Sequence, residues 1–442
     1  MKKLIFAAAI AALALSACNR VQTEPVVKGD PTRPVRFSVT NLYNLQTKAD
    51  AIANGKFVAV YAGSPVSADN VKMTVSMDAE ATSGTLVPTV DNSLLWAVGQ
   101  TTEATNFLAV YPYEAVRPLV GENEADKYIE YSIASADDVD YANHFLAAAA
   151  SQAPGSDSEK NKVALAFAHP FAKLVYNITN NSDDFVASAS ISGIRRNGHL
   201  MFTTGEVVPV GDAIAADAAV TLNANGDNSW MTVVMPEDTP VNPQVKLTMT
   251  SGATYTFALS EAIALEAGKV YTATITVTGS HSAEVSERTV TGTFTVADWT
   301  DVNAGSMQQG SSTAAPSWWY ITGNIDDVNG TEDGNWSKNI PLKCISATQW
   351  QVDFYYAGTG DPVTNGFKLI QVGDDTTWFG MSPSDNWVID ASDVKAEGEE
   401  GAYRVHSLTS ADGNVNIAIN ATGKYRIVFT PSANEFYIYT LE

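Results

Sequence analysis

Cysteine is almost absent from this chain: Cys18 and Cys344 are the two thiols among 442 residues. With Cys18 inside an N-terminal apolar segment, no disulfide framework and no cysteine-rich metal site can be built, so packing alone must hold the fold. Histidine is equally sparse, and His144, His169, His199, His281 and His406 are scattered with no pair at ligand spacing. No nucleophile motif and no phosphate-cradling glycine loop occurs either. These gaps argue against an enzyme and against any metal or organic cofactor, leaving open only a carboxylate pair of the kind that hydrolyses glycosides. Basic residues are also few, 26 against 49 acidic, for a formal charge of -23. A chain so acidic lacks the footprint that phosphate neutralisation needs, which excludes nucleic acid and anionic headgroups and leaves neutral glycans and proteins as partners.

Long apolar runs are missing beyond the first turn of the sequence. Lys2 and Lys3 precede an apolar stretch from Leu4 to Leu15, closed by Leu15-Ser16-Ala17-Cys18. A run this short, with small residues before a cysteine, reads as a lipoprotein signal peptide over residues 1–17. Cys18 is then the first mature residue, its thiol carrying a diacylglyceryl group and its amine an acyl chain such as palmitate, which meets the two-chain requirement for stable anchoring. Residues 18–34 are polar and proline-containing and read as a flexible tether.

Alternation of apolar and polar residues fills the rest. Val245 to Thr250 and Tyr271 to Val277 each present one apolar face, as do Val35, Phe37 and Val39, then Phe57, Ala59 and Tyr61. The fold class is all-β. Val139 to Ala150 is alanine-rich without an amphipathic stripe and is assigned to a strand. Gln152 to Lys162 reads as a long loop, and residues 306–316, with Gly310-Ser311-Ser312-Thr313, as an interdomain linker. Six of the nine tryptophans follow that linker: Trp318, Trp319, Trp336, Trp350, Trp378 and Trp387. Burying all six in so small a domain is difficult, so several are expected at the surface.

Three ordered pieces carry a family resemblance: Val163 to Leu174, Leu265 to Tyr271, and Val296-Ala297-Asp298-Trp299. In them the chain from about Val35 to Asn303 resembles the fimbrillin-like surface lipoproteins, which include pilus stalk, anchor and tip subunits of anaerobic Gram-negative bacteria. The resemblance implies two tandem β-sandwich subdomains, residues 35–168 and 169–305, with the boundary near a structural His169. It also implies assembly with other fimbrillin-like subunits by strand addition after cleavage at a basic residue. Arg33 and Lys48 are the candidate cut positions, Arg36 being placed within a strand. Continuation into a further domain favours a tip or accessory role over a stalk.

Residues 317–442 form that further domain, a small β-sandwich of immunoglobulin-like or carbohydrate-binding-module-like type. The run Trp319-Tyr320-Ile321-Thr322-Gly323-Asn324, then Trp336, Gly366-Phe367-Lys368, Trp378-Phe379-Gly380 and Gly423-Lys424-Tyr425, resembles the terminal glycan-binding domains of starch-utilisation outer-membrane lipoproteins. By that resemblance Trp336, Lys368 and Trp378 are the platform and polar contacts for a sugar, with Trp387 as a further candidate. Flat aromatics cover the apolar face of a sugar ring while a few polar groups reach its hydroxyls. The acidic insertion Asp326 to Asn335 lacks the spacing of a calcium loop and suits a solvated turn. The combined expectation is a lipid-anchored adhesin or pilus-associated subunit at the cell outer membrane or in a fimbrium, presenting a domain that binds a glycan or polysaccharide. The alternative is a polysaccharide-capture lipoprotein serving a starch-utilisation-type uptake system.

Replacing Cys18 with alanine removes the only thioether acceptor of the signal region. The variant is expected to leave the membrane fraction, and its retention there at wild-type amounts, measured by detergent phase partition, would rule out the anchor.

Overall fold

A computed structural model describes the chain from Gly29 to Leu441 apart from residues 41–51, 53, 78–82, 90–92, 115–116, 156–161, 226–227, 260, 280–289, 299–305, 314–317, 328–335, 337–338, 347, 359, 374–375, 383–386 and 411–415. Cys18 and Lys48 lie outside the described residues. The fold is all-β, and the chain divides into two compact units, one of Met1–Glu130, His144–Pro170 and Leu200–Glu206, the other of Tyr131–Asn143, Phe171–His199 and Val207–Glu442. Among the described residues no helix is long and apolar enough to cross a membrane.

In the first unit seven strands pair in the order Lys162–Ala166, Arg36–Thr40, Gly84–Pro88, Ala68–Met77, Phe57–Ala62, Thr105–Tyr111 and Leu146–Gln152. The outermost strands meet where Ala147 and Ala168 exchange two backbone hydrogen bonds of 2.9 Å, so the sheet nearly closes on itself. Alternation along Arg36–Thr40 buries Phe37 and Val39 and leaves Arg36 exposed. Phe37 and Trp96 each meet Phe107 edge to face, 5.5 and 5.7 Å between ring centres, which fixes the middle of this core. His169 is buried, with Nδ1 3.0 Å from the Phe145 carbonyl oxygen.

The second unit contains a ten-stranded sheet that begins with Val220–Thr221 and ends with Asn223–Ala224. These two short strands are consecutive in the chain. Residues 220–224 therefore join both margins of the sheet, pairing with Val186–Ser192 on one side and Ser229–Val234 on the other. At the centre, Ala172–Ser182 runs parallel to Lys269–Gly279 over ten residue pairs.

The terminal domain, also in the second unit, packs two sheets face to face. One is built on Trp318–Gly323, Phe367–Val372 and Thr377–Gly380, the other on Trp350–Tyr356, Gly423–Thr430 and Glu435–Thr440. Gly323 marks where the chain passes from the first sheet to Ile325–Asp327 of the second. Its φ of +136° and the 2.4 Å that a Cβ would leave to the Gly366 carbonyl oxygen exclude any side chain there. The domain docks on the turn after Ser182: the Cys344 N–H donates to the Asp183 carbonyl at 2.9 Å, and Phe185 packs against the terminal core. Asp184, buried beside them, accepts from the Phe185 N–H at 2.9 Å and from the Ser251 hydroxyl.

Three segments differ from the sequence reading. Ser306–Thr313, read as linker, is a strand between Thr254–Leu259 and Val290–Asp298; both neighbours supply its backbone partners, so no apolar alternation is needed to hold it. Gly29–Pro34, read as tether, pairs with Leu95–Ala97, and Arg33 within it donates from Nη1 to the Gln100 carbonyl at 2.7 Å. Arg33 is thus half-buried, and Arg36 is the more exposed of the two side chains. Ala136–Asn143 is a helix, and the strand begins only at Leu146. The helix starts because Ser135 and Asp138 cap it reciprocally: the Asp138 N–H donates to the Ser135 hydroxyl at 3.2 Å and the Asp138 carboxylate accepts from the Ser135 N–H at 2.8 Å. Of the six late tryptophans, Trp318, Trp319 and Trp350 are core residues, while Trp336 is exposed and Trp378 and Trp387 are half-buried, in line with the expectation that not all six are buried.

Burial pushes the Cys344 thiol up to about 11. At pH 8 about one thiol in a thousand is then the reactive thiolate. Iodoacetamide is expected to label the native chain far more slowly than the urea-unfolded chain, and equal rates by mass spectrometry would show that the terminal domain does not dock as described.

Candidate functional site

The strand Phe367–Val372 places Phe367 and Leu369 in the terminal core and turns Lys368 to the other face. Across the sheet Ile370 sits opposite both Tyr320 and Trp378, and Thr322 sits opposite Lys368. Directly paired residues share a face, so Tyr320, Thr322, Lys368, Ile370 and Trp378 lie together on the outer side of this sheet. The Lys368 ammonium is 6.0 Å from the centre of the Trp378 ring, at the outer limit of a cation–π contact. Trp378 is half-buried, with Ile370 beside it almost fully covered. This is a flat aromatic next to a hydrogen-bond donor, on a floor in which Thr322 and Ile370 are buried.

The register separates the four expected site residues. Lys368 and Trp378 are brought together. Trp336 is exposed, at 39 % of its surface, in a turn whose neighbours lie outside the described residues. Trp387 belongs elsewhere: it pairs with Ile417, which pairs with Phe367, and so it stands on the core-facing side of the sheet. Its indole nitrogen is buried without a hydrogen-bond partner among the described residues, and the ring packs against the terminal core. Tyr320, Thr322 and Ile370 were missed as neighbours of the site, although the alternation Trp319-Tyr320-Ile321-Thr322 already separates two faces. Asp326, in the acidic insertion, is buried on the strand Ile325–Asp327. Among the described residues no three His, Cys, Asp or Glu side chains are placed to hold a metal.

Burial distinguishes the tryptophans energetically. Trp319 touches Phe379 and Phe429 at 4.9 and 4.8 Å between ring centres and is 6 % exposed. Trp319→Ala is expected to cost ~3–5 kcal/mol of stability. Trp378→Ala removes a partly hydrated ring and is expected to cost less than half of that. Urea unfolding of both variants checks the order, and equal losses would place Trp378 in the core.

The sequence model of the fimbrillin-like family matches residues 41–299, more than half of the chain. Among solved structures, a candidate cell adhesion protein from Bacteroides uniformis is 20 % identical with a TM-score of 0.44, covering 60 % of this chain and 99 % of that one. The tip fimbrial protein Mfa3 of Porphyromonas gingivalis is 9 % identical with a TM-score of 0.33, covering 60 % of this chain and all of that C-terminally truncated one. A fimbrial protein from Bacteroides vulgatus is 12 % identical with a TM-score of 0.33, covering 60 % of this chain and 99 % of that one. No curated protein matches. On the extent of the matched segment, this chain belongs to the fimbrillin-like family.

Proposed function

We propose that the chain is a lipid-anchored, surface-exposed adhesin or accessory pilus subunit whose fimbrillin-like portion presents the terminal domain to a neutral polysaccharide. The observation that carries the binding half is the shared face of Lys368 and Trp378. A partly exposed ring loses little on being covered by a sugar, while the ammonium and the half-buried Tyr320 supply polar contacts beside it. Trp336, exposed at another turn of the terminal domain, is the second candidate platform. The family match supports the fimbrial half. Partner subunits would add by strand pairing, and Arg33, in the strand paired with Leu95–Ala97, and Lys48 stay the candidate processing positions.

The polysaccharide-capture alternative rests on the terminal domain alone and makes the fimbrillin-like portion a spacer. Recovery of other fimbrillin-like chains with this protein from surface fractions favours the pilus reading, and recovery of a porin-type transporter favours capture.

A glycan array and affinity gels on the mature chain test the site. Trp378→Ala is expected to lose neutral-polysaccharide binding, since aromatic anchors contribute ~2 kcal/mol or more, with Lys368→Ala losing less. Wild-type binding by Trp378→Ala, with its melting temperature intact, would overturn the platform.

A further inference from the structure

The second unit holds a cavity of about 640 Å³ that the glycan reading does not use. It lies between the helix Ala136–Asn143 and residues 220–224, the segment that joins the two margins of the ten-stranded sheet. Its volume falls within the ~300–1,000 Å³ of small-molecule sites. Ile133, Val139, Val220 and Leu222 give it apolar walls, and Thr221 and Asn223 line it with a hydroxyl and a carboxamide whose Nδ2 donates to the Ala136 carbonyl at 2.9 Å, so that Oδ1 is the atom it offers. One charged side chain lines it, Arg196.

The state of Arg196 is what points to a ligand. Its Nε donates to the Ile133 carbonyl, and among the described residues its two Nη groups have no hydrogen-bond partner. The nearby carboxylate, Asp138, is committed to the helix cap, accepting from the Ala134 and Ser135 N–H groups at 2.9 and 2.8 Å and from the Ser135 hydroxyl at 2.9 Å. Burial depresses the guanidinium's affinity for its proton more than Asp138 restores it. A half-buried cation held by one carbonyl, with a fork of donors left over, matches a carboxylate in shape and charge.

We propose that this cavity binds a carboxylate-bearing sugar, with the acid group on Arg196, the ring hydroxyls on Thr221 and Asn223, and the ring's C–H face on the apolar wall. A free peptide carboxylate fits less well. Val220–Thr221 and Asn223–Ala224 each pair with one neighbour and are two residues long, so an extended chain finds no long open edge beside the cation. The site is independent of the terminal domain and of its Lys368–Trp378 face.

The test is calorimetry on the mature chain with N-acetylneuraminic and glucuronic acids, the neutral sugars N-acetylglucosamine and glucose, and a tetrapeptide with a free C-terminus. At least one acidic sugar is expected to bind and its neutral counterpart to fail. Arg196→Gln is expected to weaken that binding about tenfold or more, as the loss of a charge-assisted pair does. Thr221→Trp, which fills the cavity from an exposed position and keeps the cation, is expected to block it even if Arg196→Gln does not fold. Trp378→Ala is expected to leave acid-sugar binding unchanged. Equal binding of acidic and neutral sugars, preference for the peptide, no binding of either acid, wild-type affinity in Thr221→Trp, or loss in Trp378→Ala would each overturn the proposal.

Discussion

The parallel ladder between Lys173–Ser182 and Val270–Gly279 is the constraint on which the second unit depends. Its opposed pairs Leu174 with Tyr271, Tyr176 with Ala273 and Ile178 with Ile275 put six buried side chains on one face. A slip of one residue would turn all of one strand's contribution outward. Parallel strands cannot be joined by a hairpin. The chain must leave after Ser182, lay down the strands from Val186 to Leu265, and return at Lys269 in register. The turn at Ser182 that this excursion creates is the same turn on which Cys344 and the terminal core settle.

Strands that bury one face were legible in the sequence because alternation is a side-chain signal. Val245, Leu247 and Met249 point inward as the pattern dictates, and so do Phe37 and Val39. Ser306–Thr313 carries no such pattern, since its place is set by backbone pairing to two neighbours. The helix Ala136–Asn143 escaped for a related reason: its cap uses Asp138, a poorer helix former than the glutamate expected there, and only Val139 and Ala142 reach the core. Lys368 and Trp378 were read through a resemblance and lie together on one face. Trp387 packs against the terminal core instead of sharing that face, a placement composition does not encode, because composition cannot say which side of a sheet a tryptophan takes. Arg196 left no signal at all, as its isolation comes from Asp138 being bound to the helix start.

In so acidic a chain the positions of the cations are informative. Arg195 meets Glu237 at 2.6 Å, Arg426 meets Asp353 at 2.6 Å and also Glu397, and Arg404 is held by Glu435. Those pairs are internal neutralisation, and the exposed ones contribute little to stability. The Lys368 ammonium is 6.0 Å from the centre of an indole ring, and the Arg196 Nε donates to a carbonyl. The two cations differ in what they suit: a flexible ammonium beside a ring serves hydroxyls of varied geometry, and a planar fork selects a planar acid.

The strand Ser306–Thr313 also redraws the unit that recombination could move. The matched family segment ends at residue 299, yet the sheet it builds is completed by residues that follow it. A graft of the terminal domain cut at residue 305 would carry off that strand and leave Thr254–Leu259 and Val290–Asp298 as facing unpaired edges. Cut after Thr313, the donor sandwich stays whole. The structural seam before the terminal domain therefore begins after residue 313, and a cut upstream of it would trade paired strands for sticky edges.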